Sequence, residues 1–257
     1  MIERFNVLGV GVSAISMADA VMAIETWIAT RSQNYVCITG VHGVTESQSD
    51  PELKSIHNRA GMVTPDGMPL VWLAHLNGRT NVERVYGPDL FLEVAALSLR
   101  KGYRHFYYGG GDGVADLLAA RMQERFSGLH IVGTYTPPFR PLSDQEDQAI
   151  VEQINAAEPD IVWVGLSTPK QERWMAQLVG RVNAPVFVGV GAAFDFHAGL
   201  KRQAPCWMQR SGLEWVFRLI TEPQRLAWRY LKNNPRFVFR IAAQHLGLRQ
   251  YPIVERG

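Results

Sequence analysis

Short apolar segments alternate with longer helical patterns through the first 200 residues of the chain. One of these segments, Ile161-Val162-Trp163-Val164-Gly165-Leu166, has the continuous apolar character of a strand that is buried on both faces of a parallel sheet. Helices that connect parallel strands form right-handed crossovers and cover the sheet. We therefore predict an α/β fold with a mostly parallel sheet covered by helices.

The composition is that of a soluble globular protein, with 47% hydrophobic and 19% charged residues among 257. No apolar run approaches the roughly 20 residues of a membrane-spanning helix, and the first residues lack the pattern of a signal peptide. Cys37 and Cys206 have no metal-ligand spacing with the scattered histidines. We expect a cytoplasmic protein with no metal site and no cofactor.

Charge is distributed unevenly along the chain. Residues 201–257 hold 11 Lys/Arg against 3 Asp/Glu, a net charge of +8, whereas the first 200 residues hold 15 against 21, a net charge of −6. Such asymmetry indicates that the basic part meets an anionic partner. We predict a core of residues 1–200 and a basic, aromatic-rich helical appendage of residues 201–257.

The segment Thr64-Pro65-Asp66-Gly67 places a carboxylate on a tight turn between a predicted strand and a predicted helix. The flanking Pro and Gly fix the backbone and leave room for a ligand. Open α/β sheets bind ligands at the carboxyl ends of their strands. The alternative is that Asp66 caps the following helix. Polar groups after the neighbouring strands favour a ligand site.

The segment Thr39-Gly40-Val41-His42-Gly43 follows another predicted strand and is expected to form a Gly-flanked loop. Parallel pairing would bring Thr39 and His42 to the same edge of the sheet as Asp66. A lone histidine is more often structural, but loop residues at a ligand edge frequently act on the ligand. His42 is therefore the alternative to Asp66 as a general base.

The turn Gly109-Gly110-Gly111-Asp112-Gly113 leads from a predicted strand into a helix. Backbone N–H groups at a helix N-terminus suit a phosphate or diphosphate, so Gly109 and Gly110 are candidate contacts. A dinucleotide site would need an acidic residue at the end of the next strand, which ends at Tyr135 instead. The pattern argues against NAD and leaves a mononucleotide or sugar-diphosphate site open.

Further candidate side chains follow other strands or turns. Arg84 stands beside a Gly-Pro turn and is either a ligand contact or a solvated partner of the adjacent glutamate. Phe139, in a Pro-rich loop, is either a contact for a nucleotide base or a buried anchor. Lys170 and Gln171 begin a helix after a buried strand. Asp195 lies among aromatic residues, where an unpaired carboxylate is costly, so we expect a specific partner such as ligand hydroxyls.

The tail has helical patterns, and Pro223 and Pro235 are each predicted to break or restart a helix. An uninterrupted helix would place the basic residues between positions 218 and 240 on one narrow stripe. A basic helix with interleaved aromatic residues is typical of an interfacial element on anionic lipid. The alternatives are a helix packed on the core with solvated arginines, and nucleic-acid binding, for which no motif is present. The residues expected to meet lipid are Arg202, Arg218, Arg225 and Arg229.

Six motifs that occur in order along nearly the whole chain resemble those of the WecG/TagA/CpsF glycosyltransferases of bacteria, glycosyltransferase family 26. They are Pro65-Asp66-Gly67, Glu83-Arg84-Val85-Tyr86-Gly87, Tyr108-Gly109-Gly110, Pro169-Lys170-Gln171-Glu172, Gly189-Val190-Gly191-Ala192-Ala193-Phe194-Asp195-Phe196, and Gly212-Leu213-Glu214-Trp215-Val216-Phe217-Arg218. The chain departs from the family at Thr39-Gly40-Val41-His42, where many members have Thr-x-Asn. Because polar groups near the reacting centre set specificity, this departure bears on which sugar is used.

The resemblance implies a Rossmann-like core and an inverting, metal-independent transfer of a sugar from a UDP-sugar donor to a polyprenyl-diphosphate-linked acceptor in surface polysaccharide synthesis. It implies that Asp66 is the base, that Arg84 faces phosphate, that Gln171 and Asp195 contact the donor, and that Thr39 is a further matched residue. The expected location is peripheral, on the cytoplasmic face of the inner membrane, with homo-oligomerisation left open. The rival hypothesis is a non-catalytic, membrane-associated sugar-nucleotide-binding module.

Overall fold

The computed structural model describes residues 2–253 and contains two sheets. The strands are β1 (Arg4–Val7), β2 (Val10–Ser13), β3 (Asn34–Thr39), β4 (Met62–Pro65), β5 (Arg104–Gly109), β6 (His130–Tyr135), β7 (Ile161–Gly165) and β8 (Val186–Gly189). Six of them form a sheet in the order β4-β3-β8-β7-β5-β6, in which every neighbouring pair is parallel. The predicted α/β, Rossmann-like architecture is confirmed.

The opening segment is a hairpin. The apolar residues at positions 5–12 predict one continuous strand, and that prediction is wrong. β1 pairs antiparallel with β2, and the two turn residues, Leu8 and Gly9, have φ angles of 55° and 81°. Two consecutive residues in the left-handed region match the twist of a two-residue hairpin. The turn escapes sequence analysis because Leu8 is apolar and continues the strand pattern across it.

Helices fill the segments between the strands and the C-terminal part of the chain. They are α1 (Met17–Thr30), α2 (Val41–Glu46), α3 (Pro51–Arg59), α4 (Met68–Leu76), α5 (Gly87–Lys101), α6 (Val114–Arg125), α7 (Asp144–Ala157), α8 (Lys170–Leu178), α9 (Ala193–His197), α10 (Cys206–Arg210), α11 (Glu214–Thr221) and α12 (Pro223–His245). The loop predicted after β3 is wrong, because α2 begins there at Val41.

The two faces of the large sheet bury separate apolar clusters. In β7, Val162 and Val164 belong to one cluster, whereas Ile161 and Trp163 belong to the other, and all four side chains are fully buried. Alternate residues of a strand point to opposite faces, so a strand covered on both sides must be apolar throughout. This arrangement confirms the prediction made from the continuous apolar run.

The long helix α12 begins at Pro223, as predicted, and continues through Pro235. The predicted break at Pro235 is therefore wrong. An internal proline removes one backbone hydrogen bond and costs about 3 kcal/mol, and burial of Leu226, Asn233 and Phe237 on the packed face of α12 offsets this cost. Within residues 2–253, no helix is both long enough and apolar enough to cross a bilayer. Positions 254–257 of the predicted appendage lie outside the described residues.

Candidate functional site

A cavity of about 790 Å³ lies over the carboxyl ends of β4, β3, β8 and β7. The segments that follow these strands line one side of it, as the topology predicts, and α11 and α12 supply the opposite wall. Residues of α4 and the turn after α10 complete the lining. The cavity is therefore formed jointly by the sheet edge and the three C-terminal helices.

Asp66 follows β4 directly and faces this cavity. Its backbone N–H donates to the carbonyl of Thr39 at 3.1 Å, and its own carbonyl accepts from Nε of Arg84 at 2.6 Å. Helix α4 has its N-cap at Gly67 with no side-chain cap, so the interpretation of Asp66 as the helix cap is wrong. Oδ1 of Asp66 is buried and has no hydrogen-bond partner within the described part of the chain. The carboxylate thus presents an unused acceptor to a ligand.

Burial raises the pKa of Asp66 to about 6. The nearby carboxylate of Glu214 adds to this rise, whereas Arg84, Arg218 and a backbone hydrogen bond from Gly87 act in the opposite direction. A carboxyl with a pKa near 6 is mostly ionised at pH 7, and it is a stronger base than an ordinary aspartate. Both properties suit proton abstraction from a ligand hydroxyl.

Arg84 connects Asp66 to the C-terminal helices. Its Nη1 donates to Oε1 of Gln209 at 3.0 Å, its Nη2 forms an ion pair with Glu214, and its guanidinium lies 4.0 Å from the ring centroid of Tyr86. The alternative in which Arg84 is a solvated partner of the adjacent Glu83 is therefore wrong. The guanidinium is held in one orientation at the cavity wall.

His42 lies in the first turn of α2 and also lines the cavity. The side-chain amide of Asn233 donates to Nδ1 of His42 at 3.1 Å and to Oε1 of Glu46 at 3.2 Å. Because Nδ1 accepts, the proton of the neutral ring is on Nε2. Burial, with the positive charge of Arg229 as the next cause, lowers the pKa of His42 to about 4. The imidazole is therefore neutral at pH 7.

The basic residues of the tail divide between two faces. Arg218, Arg225 and Arg229 line the Asp66 cavity, whereas Arg202 does not. A second, exposed face of α12, here called the outer face, comprises Trp228, Leu231, Lys232, Pro235, Arg236 and Phe239. The stripe expected of one uninterrupted helix is divided between two helices. Arg218 lies on α11, which ends at Thr221, and the other basic residues of the stripe lie on α12, which starts at Pro223.

Gln171 is buried beneath the cavity in the first turn of α8. Its Nε2 donates to the carbonyl of Gly189 at 3.3 Å. Its Oε1 is buried and has no hydrogen-bond partner among residues 2–253. This oxygen can accept from an N–H or O–H group of a ligand. The preceding Lys170 is exposed and is not part of the lining.

Several predicted site residues lie outside this cavity. Thr39 is buried, with Oγ1 donating to the carbonyl of Cys37 at 3.3 Å. The expected partner of Asp195 is within the chain, because Nζ of Lys201 lies 2.7 Å from Oδ2. Phe139 is 88% exposed, so the interpretation as a buried anchor is wrong. None of these three side chains is in the described cavity lining with Asp66, although the backbone carbonyl of Thr39 accepts from the N–H of Asp66.

Gly109 and Gly110 are also absent from the cavity lining, and the structure gives each a packing role. A Cβ atom on Gly109 would lie 2.7 Å from the carbonyl carbon of Gly165, and one on Gly110 would lie 2.8 Å from Cβ of Val114. The N–H of Gly110 already donates to the carbonyl of Gly165 at 2.9 Å. Glycine is therefore required at position 109 by the close approach of β5 to β7, and at position 110 by the start of α6.

Gln209, Glu214 and Asn233 are polar cavity residues that were not among the predicted site residues, although Glu214 stands in one of the family motifs. Asn233 follows Arg225 and Arg229 at intervals of four residues, so helical spacing alone could have placed it on the same face. The partners of Glu214 and Gln209 depend on tertiary docking of α10 and α11 against the sheet edge. No local pattern predicts that docking.

The cavity is cationic overall. Among its described lining residues, four arginines stand against two carboxylates, Asp66 and Glu214. Arginine is the residue that best matches phosphate oxygens, with charge-assisted hydrogen bonds. Across residues 2–253, no group of three or more His, Cys, Asp or Glu side chains is placed to hold a metal ion. The arrangement suits an organic anion such as a diphosphate.

Comparison with known proteins identifies glycosyl transferases as relatives, which agrees with a cavity that suits a diphosphate. A protein of Bacillus spizizenii named N-acetylglucosaminyldiphosphoundecaprenol N-acetyl-beta-D-mannosaminyltransferase is 31% identical over 193 residues, which is 75% of this chain and 72% of that protein. A Staphylococcus aureus protein of the same name is 25% identical over 241 residues, 93% of this chain and 92% of that protein. The family model described as Glycosyl transferase WecG/TagA/CpsF family matches residues 5–251. The chain therefore belongs to the WecG/TagA/CpsF family of glycosyl transferases.

Proposed function

We propose that this protein is an inverting, metal-independent glycosyltransferase that moves a sugar from a UDP-sugar to a polyprenyl-diphosphate-linked sugar. The observation that carries the proposal is the pairing of an unused, buried carboxylate oxygen of Asp66 with four arginines in one cavity. The carboxylate supplies a base for a hydroxyl, and the guanidinium groups supply the charge that two diphosphates need.

The proposed reaction is a single displacement. Asp66 takes the proton of the acceptor hydroxyl while that oxygen attacks the anomeric carbon of the donor. The bond from this carbon to the diphosphate oxygen breaks, and UDP leaves with the electron pair. One positioned base suffices for inversion, and it contributes about 10²–10⁴-fold to the rate. Arginine side chains stabilise the charge that develops on the departing diphosphate.

The donor is placed over the loops that follow β7 and β8. Gln171 presents its unpaired Oε1 there, and Gly189 and Gly191 are also in the cavity lining. The acceptor enters from the side of α11 and α12, where Arg218, Arg225 and Arg229 meet its diphosphate. This placement puts the acceptor hydroxyl between Asp66 and the anomeric carbon.

The relatives' names indicate which substrates to test first. We propose an N-acetylglucosaminyl-diphosphate polyprenol as the acceptor and UDP-N-acetylmannosamine as one donor in a panel of UDP-sugars. The chain has Thr39-Gly40-Val41-His42 where many family members have Thr-x-Asn, and both Val41 and His42 line the cavity, which changes its hydrogen-bonding groups. A hydrogen-bonding site rejects an analogue that lacks the matching group strongly, so the preferred sugar can differ from that of the relatives.

The helical appendage of residues 201–257 is proposed to hold the enzyme against the membrane. On the outer face, Trp228 and Phe239 are each 76% exposed and lie beside Lys232 and Arg236. Exposed aromatic and basic side chains on one helix face favour an anionic lipid surface. The face of α12 that lines the cavity would then direct the lipid-linked acceptor toward Asp66.

The transfer reaction is tested with purified full-length protein, the UDP-sugar panel and the N-acetylglucosaminyl-diphosphate acceptor, with and without EDTA. The product is identified by mass spectrometry, and its anomeric configuration by NMR. An EDTA-insensitive product of inverted configuration supports the proposal. Tight binding of a UDP-sugar in calorimetry without transfer from any donor would favour the non-catalytic sugar-nucleotide-binding module instead.

Membrane attachment is tested separately by co-sedimentation with vesicles that contain anionic lipid. The double variant Trp228→Ser/Phe239→Ser should lose vesicle binding while it retains the fold, because both side chains are exposed. Leu117→Ser, on exposed α6, is the matched control and should bind as the wild type does. Unchanged binding of the double variant would contradict the proposed orientation of α12.

A further inference from the structure

We propose that Glu214 is a positioning residue for the sugar transfer: from the appendage it holds Arg84 and balances the positive charge beside Asp66. This inference rests on the proposed function of the same cavity. It assigns to α11 a role in the chemical step that differs from binding a lipid or a phosphate. Glu214 acts through Arg84, so it is not itself a catalytic residue.

The contacts of Glu214 converge on the residues around Asp66. One carboxylate oxygen, Oε2, pairs with Nη2 of Arg84, and the other, Oε1, accepts from the hydroxyl of Tyr86 at 3.3 Å. Arg84 in turn donates from Nε to the backbone carbonyl of Asp66 at 2.6 Å. Glu214 and Arg84 are separated by 130 positions in sequence, so this chain of contacts exists only when α11 is docked on the sheet edge.

Burial makes this ion pair effective. The side chains of Arg84 and Glu214 are 14% and 17% exposed, so water screens their interaction with Asp66 only weakly. Gln209 takes a further guanidinium N–H, and the ring of Tyr86 lies under the group. The guanidinium therefore has one orientation, and its charge is matched by one carboxylate from the appendage.

The charged and titratable groups that act on Asp66 come from two directions. The segment before α5 contributes Arg84, which favours the ionised carboxylate, and Tyr86. Helix α11 contributes Glu214, which disfavours the ionised form, and Arg218, which favours it. Without Glu214, burial alone would oppose the two arginines, and the pKa of Asp66 would fall. Asp66 would remain ionised at pH 7 but would become a weaker base.

This arrangement makes the strength of the base depend on docking of the appendage. An undocked enzyme would leave Arg84 without its counter-ion and Asp66 with a lowered pKa. Docking of α11 would restore the balance at the same time as Arg218 enters the cavity. Proton abstraction would thus be efficient only when the acceptor-binding wall is in place.

The test compares Glu214→Gln with Glu214→Asp in full-length protein. Glu214→Gln keeps an acceptor for Arg84 but removes the charge, so the acidic limb of the kcat/KM profile should move down by about one pH unit. The kcat at pH 7.5 should fall about tenfold, with KM for the donor changed by less than about twofold, because a weaker base slows only the chemical step. Glu214→Asp keeps the charge, so the acidic limb of its kcat/KM profile should remain at the wild-type pH.

A readout that needs no turnover separates this inference from the proposed function. The Asp66 carboxyl is titrated by carbon-13 NMR in wild type, in Glu214→Gln and in the control Glu124→Gln, an exposed residue of α6. A lower pKa in Glu214→Gln alone supports the inference, whether or not the correct donor has been found. An unchanged Asp66 pKa in a Glu214→Gln protein with the wild-type circular dichroism spectrum would overturn it. Absence of transfer by the wild type would count against the proposed function alone.

Discussion

Asn233 of α12 donates its side-chain amide to Nδ1 of His42 on α2, across 191 positions of sequence. Asn233 is buried, and the same amide also reaches Glu46, so one polar side chain joins α12 to two residues of α2. A buried amide that satisfies two acceptors fixes the relative position of both helices. It also leaves the imidazole neutral, with its N–H at Nε2.

His42 is predicted to position the substrate rather than to act as the base. His42→Ala should lower kcat by less than about tenfold, because the remaining base, Asp66, still takes the proton. Asn233→Ala should give a similar loss, since it releases the same ring. Both variants are assayed with saturating donor and acceptor. Loss of all turnover in His42→Ala, with near wild-type turnover in Asp66→Asn, would show that the roles are reversed.

The pH dependence of kcat/KM distinguishes the two candidate bases. A base must be deprotonated, so activity is present above its pKa and is lost as the pH falls through it. The pKa is about 6 for Asp66 and about 4 for His42. We predict that the acidic limb of the kcat/KM profile lies near pH 6 and that kcat/KM falls tenfold per pH unit below it. A rate that stays constant down to pH 5 would exclude Asp66 as the base.

Arg229 is predicted to bind the diphosphate of the acceptor. Burial lowers its pKa from the usual range, yet it remains charged at neutral pH. Arg229→Ala should raise KM for the acceptor about tenfold or more, because it removes charge-assisted hydrogen bonds to phosphate oxygens. KM for the donor should change little.

The matched control for Arg229 is Arg121→Ala, on exposed α6, whose ion pair with Glu124 is on the surface. It should leave both KM values at wild-type levels. A larger rise of the donor KM than of the acceptor KM in Arg229→Ala would place the residue at the donor instead.

Gly109 is predicted to be required for packing. Gly109→Ala combines a φ angle of 120° with a Cβ atom 2.7 Å from a backbone carbon, and should reduce the free energy of unfolding by about 3 kcal/mol. Gly113→Ala is the control, because its φ angle is also positive but its Cβ atom meets nothing within 4 Å. It should cost about 1 kcal/mol. Urea denaturation measures both, and equal losses would contradict the packing role.

Much of the fold follows from local patterns. The apolar segment at positions 34–39 forms β3, and the capping boxes at Ser16 and Ser143 mark the starts of α1 and α7. A capping box is formed by residues three positions apart, so the local sequence is sufficient to predict it. The turn at Leu8 and the continuation of α12 through Pro235 depend on contacts made elsewhere, and local propensity gives the wrong answer for both.

The site is only partly predictable for the same reason. Asp66 and His42 follow adjacent parallel strands, so topology alone brings them to one edge. Gly109 ends β5 and Gly110 follows it; β5 lies beyond β7 from the cavity, and strand order could not be read from the sequence. The ion pair of Glu214 with Arg84 requires the docked position of α11. Contacts between segments that are distant in sequence could not be predicted from local patterns.

The most direct test of the account is the rate of sugar transfer by Asp66→Asn, measured under single-turnover conditions with donor and acceptor both saturating. Asparagine keeps the shape of the side chain but cannot accept the proton, so we predict a fall in rate of about 10²–10⁴-fold. UDP affinity, measured by calorimetry in the same preparation, should remain within about threefold of wild type. A transfer rate within tenfold of wild type would contradict the assignment of Asp66 as the base in this cavity.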